Sequence, residues 1–96
     1  MSEQDLRERI VDAEKAQQML QGIREPLDDV REQVVTEFKA LAADDHEGRR
    51  HAQCMLEAID RLEGHFEYLI GDGKMAAHEL TLIEKAARGA ARLFGT

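Results

Sequence analysis

The segment from Met55 to Ile70 is the strongest constraint on what this chain can fold into. Met55, Ala58, Ile59, Leu62, Phe66, Leu69 and Ile70 follow one another mainly at steps of three and four residues. That spacing lines up on one face of an α-helix, and an apolar helix face must be buried against another element. The nearest partner lies upstream, where Leu27, Val30, Val34, Phe38 and Leu41 repeat the pattern from about Pro26 to Ala43. Between the two lies "ADDHEG", which offers Asp44 or Asp45 as the N-cap of the second of these helices. The pattern predicts an antiparallel helical hairpin over about 26–71. Its seam is expected to hold Leu27, Val34, Phe38, Met55, Leu62, Phe66 and Leu69.

Two further helical segments flank this hairpin. Ser2 followed by Asp5 has the form of a helix cap with acidic residues in the first turn. Leu6, Ile10, Ala13, Leu20 and Ile23 then fall on one helical face. Pro26 interrupts this segment, because proline lacks an amide donor and biases the preceding residue away from helical geometry. It predicts either a restart or a kink. At the other end, "IGDGKMA" (Ile70 to Ala76) places two glycines around an aspartate and a lysine. A phosphate loop would need a preceding strand, a longer glycine-spaced loop and Ser or Thr after the lysine. Here a helical pattern precedes and Met75 follows Lys74, so the stretch reads as a turn closed by Gly71 or Gly73.

An amphipathic C-terminal helix is expected over about 74–94. Ala76, Leu80, Ile83, Ala87, Ala90, Ala91 and Phe94 share one face, and Lys74, His78, Lys85, Arg88 and Arg92 lie on nearly the opposite one. The fold class is therefore all-α, a single small helix bundle over 1–96 with one proline and no tryptophan among its residues. A chain of 96 residues buries a modest core alone, and shared surface between copies is a standard remedy. The apolar residues Leu6, Ile10, Leu20, Leu80, Ile83 and Phe94 are the candidate subunit interface of a homo-oligomer.

Charge narrows the possible partners. The net charge of −7 argues against a general nucleic-acid coat. It is unevenly spread: from Lys74 onward four basic residues face Glu79 and Glu84, whereas residues 1–73 hold nine bases against eighteen acids. The basic stripe Lys74, His78, Lys85, Arg88 and Arg92 is the candidate surface for an acidic protein or for DNA. The bland alternative is that it is solvated or pairs with Glu25, Asp28, Asp29 and Glu32.

Catalytic and metal chemistry find little support. Glu47 and His51 share a helix face, but no Glu-x-x-His pair of the kind used in helix-bundle metal sites occurs. Cys54 and His51 are three apart and can touch, yet a nucleophile also needs an orienting group and an oxyanion site. Asp28 and Asp29 point in different directions on a helix. The expected chain is non-enzymatic, with no cofactor, no catalytic residue and no metal. A single cysteine, no signal-peptide pattern at the N-terminus and no membrane-length apolar run suggest the cytoplasm.

Three stretches carry a family resemblance: "MLQGIREPLDDV", "DDHEGRRHAQ" and "LEGHFEYLIGDGKMAAHEL". From about Ala13 to Leu80 the chain resembles a group of short helical proteins encoded by tailed bacteriophages and prophages. The family-type segment commonly has aromatics near the ends of both hairpin helices; this chain has Phe38 and Phe66 but no Trp, and its alanine-rich tail extends past the match. The resemblance implies a virion-assembly or DNA-packaging accessory, or a small protein aimed at a host factor, and it supplies no catalytic residues. The alternatives are a nucleic-acid-binding packaging module using Lys85, Arg88 and Arg92, and an acidic inhibitor that mimics nucleic acid.

Overall fold

The computed structural model describes residues 2–93. The chain is all-α, built from two long helices, α1 (Glu3–Ala40) and α2 (His46–Leu93). They lie against each other as a rod of 77 × 22 × 16 Å. Leu6 packs on Ala76 and Leu80, Leu20 on Phe66, and Phe38 beneath the Arg49 guanidinium, so the two helices run in opposite directions.

Each end has a local cause. Ser2 caps α1, its Oγ accepting from the Asp5 amide at 3.1 Å. Leu41 leaves helical geometry at φ −70°, ψ 145°, and its amide donates to the Phe38 carbonyl. Asp45 starts α2: its carboxylate accepts from the Gly48 amide at 2.9 Å, the usual work of an N-cap. Of the two candidate caps, Asp45 is the one used.

The four expected segments are in fact two. Pro26 sits inside α1 without ending it. Position 26 has no amide to offer the Gly22 carbonyl, but both residues are exposed, where water can satisfy that oxygen. The turn expected at "IGDGKMA" is also absent, since α2 runs through Ile70–Ala76. Gly73 is buried against α1, and a Cβ built on it would collide with the Ala13 Cβ and crowd the Arg9 carbonyl oxygen at 3.2 Å. Glycine serves here as the smallest residue at a helix contact. Its capacity for a left-handed turn goes unused.

Burial recurs every seven residues, the period of a coiled-coil seam. On α1 the repeat is Leu6, Ala13, Leu20, Leu27 and Val34; on α2 it is Ala52, Ile59, Phe66, Gly73 and Leu80, each buried or half-buried. Val34, Phe66 and the half-buried Leu27 occupy the seam as expected, and Phe38, Met55 and Leu69 flank it half-buried. Leu62 is 42 % exposed and lies on the side of the rod, which corrects its assignment to the seam.

Candidate interaction surfaces

Two arginines fix how the helices line up. Arg9 forks onto the Asp72 carboxylate, with Nε to Oδ2 at 2.8 Å and Nη2 to Oδ1 at 2.7 Å, and Nη2 also reaches the Asp72 carbonyl at 3.3 Å. This two-pronged pairing demands one relative position of the helices, a constraint that a point charge such as lysine would not impose. Arg31 bridges Asp28 at 3.0 Å on its own helix to Asp60 at 3.2 Å and Glu63 at 3.0 Å on α2. Arg7 and Glu84 approach only to 4.0 Å and both are more than half exposed, so that pair contributes little.

The Arg9 hydrogen bonds hold the Asp72 carboxyl below its ordinary pKa, and the Asp72 bonds raise Arg9 in turn. Bonding to Glu63, and then to Asp60, raises Arg31. Arginine is charged in both folded and unfolded chains, so within the Arg9–Asp72 fork it is Asp72 that couples stability to pH in the acid range. Its depressed native pKa means the unfolded chain binds more protons between the two values. Stability is therefore present above the ordinary carboxylate pKa and is lost as pH falls through the native one. Acid titration of helicity is expected to show the wild type losing stability below about pH 4 more steeply than Asp72→Asn. Parallel curves for the two proteins would mean that the fork contributes no pH dependence.

The expected subunit-interface residues divide into three groups. Leu6, Leu20 and Leu80 are buried within the single chain and Ile10 packs beside them. Their apolar surface faces the chain's own other helix. Ile83 is 37 % exposed and remains accessible, and Phe94 lies outside the described residues.

The basic stripe is solvent-facing throughout: Lys74, His78, Lys85, Arg88 and Arg92 are all exposed. No ion pair among the described residues involves any of them. At 48 residues against 38, α2 outruns its counterpart, and the excess projects at the C-terminal end. Glu84 still meets Arg7; beyond it Lys85, Arg88 and Arg92 stand on a helix with no α1 alongside. The acidic cluster Glu25, Asp28, Asp29 and Glu32 sits elsewhere, at the level where Arg31 meets Asp60 and Glu63. Within one chain the basic and acidic clusters are held apart by the length of the rod. A continuous α2 carries the basic stripe away from a cluster that a folded-back tail could have reached.

The remaining sequence candidates stay dispersed. Among the described residues no group of three or more His, Cys, Asp or Glu side chains is arranged to hold a metal. His51 and Cys54 are both exposed. No helix among the described residues is long and apolar enough to cross a membrane.

A large part of the apolar side chain inventory lies outside the seam. Val11, Met19, Val30, Leu62, Tyr68 and Met75 are each 40 % exposed or more. Two open grooves run along the rod between the helices. One is lined by Leu20 and Ile70 with Gln17, Gln21, Arg24 and Lys74 at its edges. The other is lined by Ala16, Met19, Phe66 and Leu69, with Asp12 and Lys15 at its edge. Sequence periodicity alone did not separate these two sides; the small residues Ala13 and Gly73 at seven-residue steps from Leu6, Leu20, Phe66 and Leu80 were the sequence signal that could have marked the seam. Comparison with protein-family models, with curated proteins and with solved structures finds no match for this chain.

Proposed function

We propose that this chain is a non-enzymatic adaptor that acts through helix-mediated contacts and works as a homo-oligomer. The observation that carries this reading is the surplus of exposed large apolar side chains on a rod whose own seam is already filled. Exposed apolar patches of this kind mark sites of protein association. The resemblance to phage and prophage proteins suggests the setting: an accessory of virion assembly or DNA packaging, with a phage or host protein as its further partner. The absolute mass by light scattering after size exclusion, at low and high salt, tests the oligomeric reading. The expected result is a discrete multimer that survives high salt, as apolar contacts do. A monomer at both salts would remove the main support for an assembly role.

A second reading follows from the projecting basic helix. Lys85, Arg88 and Arg92 would lie along a nucleic-acid backbone, with phosphate contacts that weaken steeply as salt rises. Neutralising all three should then abolish both the binding to duplex DNA and its salt dependence. Binding that persists in the triple variant would reject that surface.

A further inference from the structure

The groove containing Met19 and Leu69 belongs to an apolar side that extends well beyond it. From Met19, steps of four, three and four residues along α1 reach Ile23, Pro26 and Val30. From Leu69, steps of seven and four back along α2 reach Leu62 and Ala58. Helical geometry keeps such steps on one face, so these residues flank the seam on the same side. Met19 is 56 % exposed, Val30 40 % and Leu62 42 %. The opposite side is different in kind, edged by Gln17, Gln21, Arg24 and Lys74 and then by the Arg31–Asp60–Glu63 bridge. Over positions 19–30 and 58–69 the first side is the more apolar of the two, although Asp12 and Lys15 edge its groove and Ile70 lies in the other.

The surface area indicates the size of the missing cover. The chain exposes 7427 Å², whereas a compact monomer of its mass would expose roughly 5,600 Å². The excess, about 1,800 Å², is ample for a standard interface, which takes about 800 Å² from each partner.

Charge selects both the occupant and its direction. Residues 25–61, the half of the rod nearest the connection, carry ten acidic against five basic side chains. The projecting end of α2 has the opposite balance, with Lys85, Arg88 and Arg92 against Glu84 from position 81 to 93. Two copies side by side in the same direction would stack acidic half on acidic half. Turned end for end, each copy lays its basic projection beside the acidic end of the other. A two-fold axis across the middle of the rod does this with one self-complementary face.

We infer that a second copy of this chain covers the Met19–Val30 and Ala58–Leu69 side, running antiparallel to the first and closing a four-helix bundle. This inference rests on the oligomeric reading above and assigns the face and direction of its first contact. Four helices packed around a shared core bury the flank that two helices leave in water. The charge pairing between ends sets orientation, and the apolar flank supplies most of the association.

The test combines mass and distance measurements. In the wild type, sedimentation at micromolar concentration should give a dimer. Val30→Glu/Leu62→Glu places two charges per chain in the contact, and its dissociation constant should rise at least about 100-fold. Because both positions are exposed in the single chain, helicity by circular dichroism should be retained. Leu62→Glu alone provides a milder variant in case the double one loses helicity. Val11→Glu, on the outer face of α1 at 46 % exposure, should remain dimeric. Direction is read from a spin label at Thr81→Cys in a Cys54→Ser background. An antiparallel pair about the middle of the rod puts the two labels roughly 35 Å apart at the 1.5 Å rise of a helix, and a parallel pair puts them side by side.

A wild-type monomer would overturn this inference together with the oligomeric reading. A wild-type dimer that persists with glutamate at positions 30 and 62 would overturn the assigned face and leave the oligomeric reading standing. A short label-to-label distance would overturn the antiparallel arrangement, and a wild-type trimer the two-copy closure.

Discussion

Gly73→Leu is expected to destabilise the folded chain by about 3 kcal/mol or more, at the upper end of what overpacking a helix contact costs. The reason is positional. A side chain at 73 would point at Ala13 and at the Arg9 backbone, and it has no flexible neighbour to displace. Forcing the helices apart there would also pull Arg9 away from Asp72, the next residue along. Gly71 provides an internal control, because a Cβ there meets open space. Both positions lie within α2, so helix propensity alone says that alanine at either should stabilise by up to about 1 kcal/mol. Chemical denaturation should instead show opposite signs, with Gly71→Ala more stable than wild type and Gly73→Ala less. If both alanine variants gain stability, the close approach at Gly73 is wrong.

The second large effect should be a gain. Pro26 occupies the interior of α1 and is exposed to solvent. An interior proline costs about 3 kcal/mol relative to alanine, through a lost hydrogen bond and a clash with the preceding turn. Pro26→Ala restores an amide donor for the Gly22 carbonyl and touches no seam residue. Stability should rise by about 2 kcal/mol, and Tm by roughly 10 °C for a chain of this size. No change in Tm would mean that the two halves of α1 are not one hydrogen-bonded helix across position 26.

These two positions also show where the sequence was legible and where it was not. The all-α class, the Ser2 cap and an aspartate cap at 44 or 45 could be read directly, because each depends on residues within a turn of one another. The apolar stripe was legible too, and it placed Val34 and Phe66 in the seam. The Gly71–Gly73 pair misled, and Pro26 left a restart or a kink open, for one shared physical reason. Glycine and proline are local signals for ending a helix, and here each stands in a helix continued by packing against its neighbour along the rod. Gly73 could be recognised as a contact residue only once Ala13 was known to face it, 60 positions away in the chain. Leu62 was misplaced for a related reason. A stripe with three or four apolar members per two turns is wider than a two-helix seam, and periodicity does not say which edge of it is left over. The Arg9–Asp72 fork was invisible to any local reading, since 63 residues separate its partners.

The single five-residue link between two unbroken rods orders every contact by how much chain it must enclose. Phe38 and Arg49, beside the link, are 11 residues apart; Arg31 and Asp60 are 29 apart, Arg9 and Asp72 63, and Leu6 and Leu80 74. The entropy lost on enclosing a loop grows only logarithmically with its length, so contacts made next to the link lower the cost of those farther out. Loop entropy alone therefore favours closing such a chain as a zipper from Leu41–Asp45 toward Ser2. The close contact of Ala13 with Gly73 and the fork of Arg9 on Asp72 sit near the far end, where a zipper pulls open most readily. They act as the clasp on its open end.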